Sequence, residues 1–288
     1  MRYNDEWKDF EVIATGDGEK LERWGDVILL RPDPQVIWHA NFPLKTYPKI
    51  SGHYTRSETG GGNWRFNRPL TEWTVGWRDL KFGIKPMGFK HTGLFPEQAA
   101  NWALMMELIA KANRPIRVLN LFAYTGGATV ACLKAGAEVC HVDAAKNMVE
   151  RAKQNVALSG LSDSPVRYIV DDCAKFVTRE IKRGKFYDAI IMDPPSYGRG
   201  SNGEVWKLED NISDFLKLCS KVLSDNPLFV LLNSYTTGLQ PTVLKNLLTV
   251  SLSGKKGSVE AYEVCLPTKE GIMLPCGASA LFLGENNG

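Results

Sequence analysis

The chain has no apolar run near the roughly 18 residues that a membrane span requires. Its opening, MRYNDEWKDF, also lacks the basic-then-apolar order of a secretory signal. Both absences predict a soluble, cytoplasmic protein. Cysteine pairs at redox or zinc spacing are missing as well. Cys132, Cys140, Cys173, Cys219, Cys265 and Cys276 are scattered through apolar stretches with no C-x-x-C, and His39, His53, His91 and His141 are equally dispersed. That pattern predicts buried, reduced thiols and no metal site. Nor does one charge dominate: 35 Lys and Arg against 32 Asp and Glu leave +3 over 288 residues. Any contact with nucleic acid has to come from local patches. At 44% hydrophobic and 23% charged residues, the chain is not disordered, collagenous or a coiled coil. Its length suits one large or two ordinary domains.

What is present falls into two parts. Six of the eight tryptophans (Trp7, Trp24, Trp38, Trp64, Trp73, Trp77) precede residue 80. From Trp7 to about Lys85 short β-prone runs (Phe10 to Ala14, Asp26 to Leu30, Gln35 to His39, Trp73 to Val75, Leu80 to Ile84) alternate with Gly, Pro and Asp turn clusters such as Thr15-Gly-Asp-Gly18. Residues 1–85 are therefore expected to form a small, mainly β module. Within it, Lys45 to Arg68 carries Lys45, Lys49, Arg56, Arg65 and Arg68 against Glu58, a net +4, interleaved with Tyr47, Tyr54, Trp64 and Phe66. These residues suit a single-stranded nucleic acid. They equally suit a small aromatic core with solvated charges.

Residues 86–288 read differently. After Phe95, Pro96 opens a helix in which Ala99, Trp102, Ala103, Met106, Ile109 and Ala110 recur at helical spacing. Strands Ile116 to Phe122, Glu138 to Val142, Val166 to Val170, Tyr187 to Met192 and Leu228 to Asn233 then alternate with helices Gly127 to Ala135, Lys146 to Ser159, Ala174 to Arg183, Glu209 to Leu223 and Pro241 to Leu252. Such alternation implies right-handed βαβ crossovers and a parallel sheet covered on both faces. The last two strands, Ser258 to Leu266 and Ser279 to Leu283, have no helix between them and predict a closing antiparallel hairpin. The fold class is α/β with a seven-stranded sheet behind a small β domain.

In open α/β sheets the ligand sits beyond the carboxyl ends of the strands. The first strand leads into Asn120-Leu-Phe-Ala-Tyr-Thr-Gly-Gly-Ala128. Adjacent Gly126 and Gly127 let backbone approach a ligand closely, and Thr125 is placed to cap the helix that follows. The spacing is not G-x-G-x-x-G, which speaks against a pyrophosphate and a nicotinamide dehydrogenase. Asp143, seventeen residues beyond Gly126, suits two ribose hydroxyls because a carboxylate can accept from both. Asp172 suits an adenine amino group, while either acid suits a helix cap; Asp171 is expected to be exposed. Together they fit a nucleoside without phosphates. The fourth strand runs into Asp193-Pro-Pro-Ser-Tyr197. Two prolines force an extended turn that aims Asp193 and the Pro194 carbonyl into the crevice. Acceptors there can take hydrogen bonds from an amino group whose nitrogen attacks an electrophile. Gly198-Arg-Gly-Ser-Asn-Gly203 reads as a flexible lid.

Taken together these motifs resemble a class I S-adenosylmethionine-dependent methyltransferase with a Rossmann-like sheet. More narrowly, Leu119-Asn-Leu-Phe-Ala-Tyr-Thr-Gly-Gly127, His141-Val-Asp143, Asp172, Asp193-Pro-Pro195 and the upstream Phe89-Lys-His-Thr-Gly-Leu-Phe-Pro-Glu-Gln98 are similar to the bacterial ribosomal RNA large-subunit methyltransferases of the cytosine-C5 and guanine-N7 type. The resemblance implies S-adenosylmethionine as cofactor and RNA as partner. It implies Phe122, Tyr124, Thr125, Gly126 and Gly127 around the methionine part, Asp143 at the ribose and Asp172 at the adenine. Asp193 would lie near the sulfonium and the target base, Phe95 and Gln98 would close over the cofactor, and Pro195, Ser196, Tyr197 and Arg199 would face the substrate. Cytosine-C5 chemistry needs a cysteine that adds to the ring. The positions after the fourth and fifth strands read Asp193-Pro-Pro-Ser-Tyr and Leu232-Asn-Ser-Tyr-Thr-Thr237, so transfer to a base nitrogen is expected instead. Methylation of a small molecule or a protein side chain, and a non-catalytic RNA-binding or nucleoside-sensing role, are the alternatives.

Overall fold

The computed structural model describes residues 1–57, 61–88, 90–199 and 205–285. The chain forms two compact units: Arg2–Ala100 with Cys265–Cys276, and Asn101–Val264 with the strand residues from Gly277 on.

In the first unit a five-stranded sheet has the order β1 (Phe10–Gly16), β2 (Glu19–Trp24), β3 (Val27–Pro32), β4 (Ile50–Arg56), β5 (Gly62–Phe66). A separate hairpin pairs β6 (Trp73–Trp77) with β7 (Leu80–Ile84). Local chemistry sets the first turn: Gly16 pairs with Glu19, leaving Asp17 and Gly18 at φ 52 and 79°, the two left-handed residues that a tight hairpin turn demands. Trp24, Trp77, Phe82, Leu21, Leu29 and Leu30 are fully buried. Each of the six early tryptophans donates its indole N–H within this unit: Trp7 to Pro96 O, Trp24 to Glu22, Trp38 to Thr15, Trp64 to Met87 O, Trp73 to Trp24 O and Trp77 to Asn4. The tryptophans are thus structural anchors, since a buried indole N–H needs a partner.

The run Gln35 to His39 is not a strand. Asp33 accepts from Gln35 N, and the carbonyls of Val36 and Trp38 receive Gly18 N and Asp17 N. Its backbone bonds go to the β1–β2 turn, leaving none for a ladder. The segment from Lys45 to Arg68 supplies β4 and β5, paired antiparallel with Tyr54 opposite Trp64.

The second unit alternates helix and strand: α1 (Ala99–Lys111), β8 (Arg117–Leu121), α2 (Gly127–Lys134), β9 (Glu138–Asp143), α3 (Lys146–Leu158), β10 (Val166–Val170), α4 (Cys173–Lys182) and β11 (Ala189–Met192). A small hairpin of β12 (Tyr197–Arg199) and β13 (Val205–Lys207) leads into α5 (Leu208–Ser220), β14 (Phe229–Ser234), α6 (Pro241–Ser251), β15 (Gly257–Pro267) and β16 (Met273–Gly284). The seven-stranded sheet runs β10-β9-β8-β11-β14-β16-β15. Its first five strands are parallel, and β16 is antiparallel to β14. This is the expected architecture, closing hairpin included. Strand order reverses beside β8, where a crevice opens at the carboxyl end. Leu119, Leu121, Phe176, Met192, Phe215 and Leu232 lie in its main core.

Candidate active site

Five strand ends build the site. Register places Met192 of β11 beside Leu121 of β8 and Leu232 of β14. The next residues in line, Phe122, Asp193 and Asn233, therefore emerge side by side at the carboxyl edge. Asp143 ends β9 one strand further out, with Asp171 and Asp172 following β10.

The turn after β8 carries unusual backbone geometry. Phe122 and Tyr124 both have positive φ, 54 and 51°, followed by Gly126 at 82°. Bulky residues rarely hold that conformation, which costs of order 1–3 kcal/mol each unless the surroundings fix it. Here they do. Asp143 Oδ2 accepts Tyr124 N at 2.8 Å, and its Oδ1 accepts Ala145 N at 2.8 Å. Phe122 N points at Cys173 Sγ (3.4 Å), and Ala123 N reaches Val142 O. From behind, buried Asn155 donates to Thr125 O at 2.8 Å. Asn120 donates to the Thr129 hydroxyl, which in turn meets His141 Nδ1, both at 2.9 Å. Burial pushes His141 down to about 4, so the ring is neutral near pH 7. Burial raises the Asp143 carboxyl, against the downward pull of its two backbone donors.

The glycines have a packing task as well. A methyl group added at Gly127 would lie 2.5 Å from Cζ2 of Trp102, and one at Gly126 would lie 2.8 Å from Cβ of Ala152. They let the start of α2 press against α1 and α3. Thr125 is not the cap of α2: Gly126 occupies that position without a side-chain bond, and Thr125 is buried. Asp172 is the cap of α4, accepting Lys175 N at 2.8 Å through Oδ1. Asp171, expected to be exposed, is half-buried and pairs with Arg179, while Asp172 is the exposed one.

After β11, Asp193 is half-buried, Pro194 buried, and Pro195, Ser196 and Tyr197 are exposed. This loop is fastened in three places. Trp206 donates its indole N–H to Pro195 O at 2.7 Å, Leu208 N to Ser196 O at 3.0 Å, and the Ser196 hydroxyl meets that of Thr236 at 2.7 Å. The Trp206 ring also packs on Phe122 and Phe215, with centroids 5.4 and 5.7 Å away. The end of β14 is held by a buried polar cluster in which Asn101 donates to Asn233 and Ser279, and Tyr262 donates to Asn101. Sequence reasoning assigned no site role to Trp206, Asn155, Cys173 or Asn101, since no motif marks them for one.

Phe95 and Gln98 belong to the other unit, Phe95 as the N-cap and Gln98 as the last residue of the 3-10 turn Pro96–Gln98; Phe95 is half-buried and Gln98 buried. Arg199 closes β12. Its side chain, Phe89, and the proposed lid over residues 200–203 lie outside the described residues. Among the described residues no group of three or more His, Cys, Asp or Glu could hold a metal ion, and no helix is long and apolar enough to cross a membrane.

An acid fixed by two backbone donors at the end of β9, beside a turn of positive φ at the end of β8, is a rigid hydroxyl acceptor at the carboxyl edge of the sheet. A carboxylate acceptor so placed suits the two hydroxyls of a ribose. The family described as S-adenosylmethionine-dependent methyltransferase matches residues 31–233, and the chain belongs to it. Among solved structures, the SAM-dependent methyltransferase from Agrobacterium tumefaciens is similar over 98% of this chain and 92% of its own, at 34% identity and a TM-score of 0.92. Among curated relatives, ribosomal RNA large subunit methyltransferase I of Aeromonas hydrophila is 37% identical over 107 residues, 37% of this chain and 26% of that protein. Ribosomal RNA large subunit methyltransferase K/L of a Shewanella species is 31% identical over 157 residues, 54% of this chain and 22% of that protein. The chain thus spans well under half the length of the curated relatives it matches.

Proposed function

We propose that the protein methylates a nucleobase nitrogen in RNA, with ribosomal RNA as the substrate, by direct in-line transfer and without a cysteine nucleophile. The cofactor, when bound, supplies an electrophilic methyl group on its sulfonium. Phe122, Tyr124, Thr125, Gly126 and Gly127 would border its methionine part, Asp143 the ribose hydroxyls and the side of the Asp172 carboxylate away from Lys175 N the adenine. The observation that carries the reading is the register of β8, β11 and β14, by which Asp193 leaves the sheet between the cofactor turn and Asn233. There the Asp193 carboxylate and the Pro194 carbonyl would accept hydrogen bonds from the target N–H groups and orient the nitrogen lone pair; as the N–CH3 bond forms and the S–CH3 bond breaks, the sulfur leaves as a thioether and the Asp193 carboxylate takes the proton the nitrogen gives up. Pro195, Ser196, Tyr197 and Arg199 would hold the flanks of the base. A paired base must first leave its stack, at a cost of a few kcal/mol.

Two further points support nitrogen as the target and RNA as its carrier. The thiol nearest the turn, Cys173, is buried, and burial pushes its pKa well up, which keeps it from acting as a nucleophile. The names of the curated relatives support RNA. The test is transfer of labelled methyl from S-adenosylmethionine to separated RNA, protein and metabolite fractions, followed by nucleoside mass spectrometry. An N-methylated nucleoside that disappears with Asp193→Ala is expected. Label confined to protein or metabolites, or a C5-methylated cytidine, overturns the proposal.

A further inference from the structure

We propose that the β4–β5 hairpin is a stacking shelf for single-stranded RNA, a reading that rests on RNA being the substrate. β5 is the edge strand of its sheet. Trp64 and Phe66, two residues apart on it, share one face and stack almost parallel, with centroids 5.4 Å apart and planes at 11°. Tyr54, directly opposite Trp64, meets it edge-on at 5.4 Å and is itself buried. The Trp64 indole N–H is fixed on Met87 O at 2.8 Å. Opposite Phe66 stands Gly52, where a methyl group would lie 2.8 Å from the Phe66 ring. Glycine at that point makes room for an aromatic ring that is nevertheless 37% exposed.

Core packing accounts for Tyr54. It does not account for a ring held in a defined plane by Trp64 and Gly52 and then left in water. Arg56 stands opposite Gly62 on the face that carries Tyr54, Trp64 and Phe66, and Arg68 follows the end of β5; both are exposed, and neither makes an ion pair with a described residue. An open aromatic face beside guanidinium groups is what unpaired bases and their phosphates recognise, with stacking supplying sequence-tolerant affinity and arginine neutralising the backbone. The net +4 of this segment favours a polyanion over a protein strand pairing with the β5 edge, and a duplex keeps its base faces covered.

The test is fluorescence anisotropy of the full chain with a fluorescein-labelled single-stranded RNA of mixed sequence and with its duplex form. Phe66→Ala is expected to weaken single-strand binding about tenfold, and Phe66→Tyr to restore it. Replacing Arg56 and Arg68 by Gln should flatten the log–log salt dependence by about 0.7 for each phosphate no longer neutralised. Affinity for S-adenosylmethionine, measured by calorimetry, should not change in any of these variants. If wild type binds the single strand and Phe66→Ala binds it equally well, the shelf is wrong and the RNA reading stands. If wild type binds no RNA, both fall; tighter binding to the duplex overturns the shelf.

Discussion

The indole N–H of Trp206 lies 2.7 Å from the carbonyl oxygen of Pro195, while the same ring packs on Phe122. One side chain thus touches both the loop that carries Asp193 and the turn that follows β8. Trp206 is a positioning residue whose hydrogen bond and ring packing are separable. Trp206→Phe keeps a ring and loses the donor. It should lower kcat for RNA methylation by about ten- to a hundredfold, the range that follows from small displacements of reacting groups. The KM for S-adenosylmethionine should stay within about twofold on the same mechanistic ground. Steady-state kinetics checks this, and an unchanged kcat removes Trp206 from the positioning set.

Asp143 supports the backbone of Tyr124 and Ala145, and in the proposed function it also presents an acceptor to the ribose. Asp143→Ala should therefore weaken S-adenosylmethionine by at least tenfold, as loss of a hydrogen bond to a charged group implies. It should also lower the unfolding midpoint, because the positive φ of Tyr124 loses its support. Calorimetric titration and thermal melting read the two effects separately, and wild-type affinity in the variant rules out the ribose role.

Gly127→Ala tests the packing role of the glycines. The added methyl must displace the Trp102 indole, an overpacking change that costs about 1–3 kcal/mol. Denaturant unfolding should show that loss. Pairing Gly127→Ala with Trp102→Leu should recover part of it, through the coupling expected of touching neighbours. Equal stability of Gly127→Ala and wild type contradicts the packing account.

His141 gives a pH signature. Its folded pKa is lowered to about 4 from an ordinary 6.5, so between those values the unfolded chain binds the extra proton. Stability contributed by the neutral ring is complete above about pH 6.5 and is lost as pH falls towards 4. NMR titration of the His141 ring should give a midpoint near 4. A midpoint above 6 shows that the ring is not desolvated as described.

The sheet was legible because five apolar strands alternate with long periodic helices, a pattern that survives ignorance of tertiary packing. The placement of Asp143 and Asp193 at strand ends was legible for a related reason: each directly follows an apolar run. What stayed hidden depends on partners distant in sequence. Asn155 reaches Thr125 across 30 residues, and Cys173 meets Phe122 N across 51; neither has a local signature. β12 and β13, three residues each, are too short to show alternation. Gln35 to His39 has strand composition, yet its backbone groups were already engaged by the neighbouring turn.

The anchoring of the early tryptophans has an optical consequence. Six indoles lie in the first unit, and only Trp102 and Trp206 lie in the second, while among the described residues every α-helix begins at Ala99 or later. Tryptophan emission therefore reports chiefly on the β-rich unit and far-ultraviolet ellipticity chiefly on the helical one. The two signals, followed in a single melt, distinguish units that unfold together from units that unfold one after the other, with no label attached.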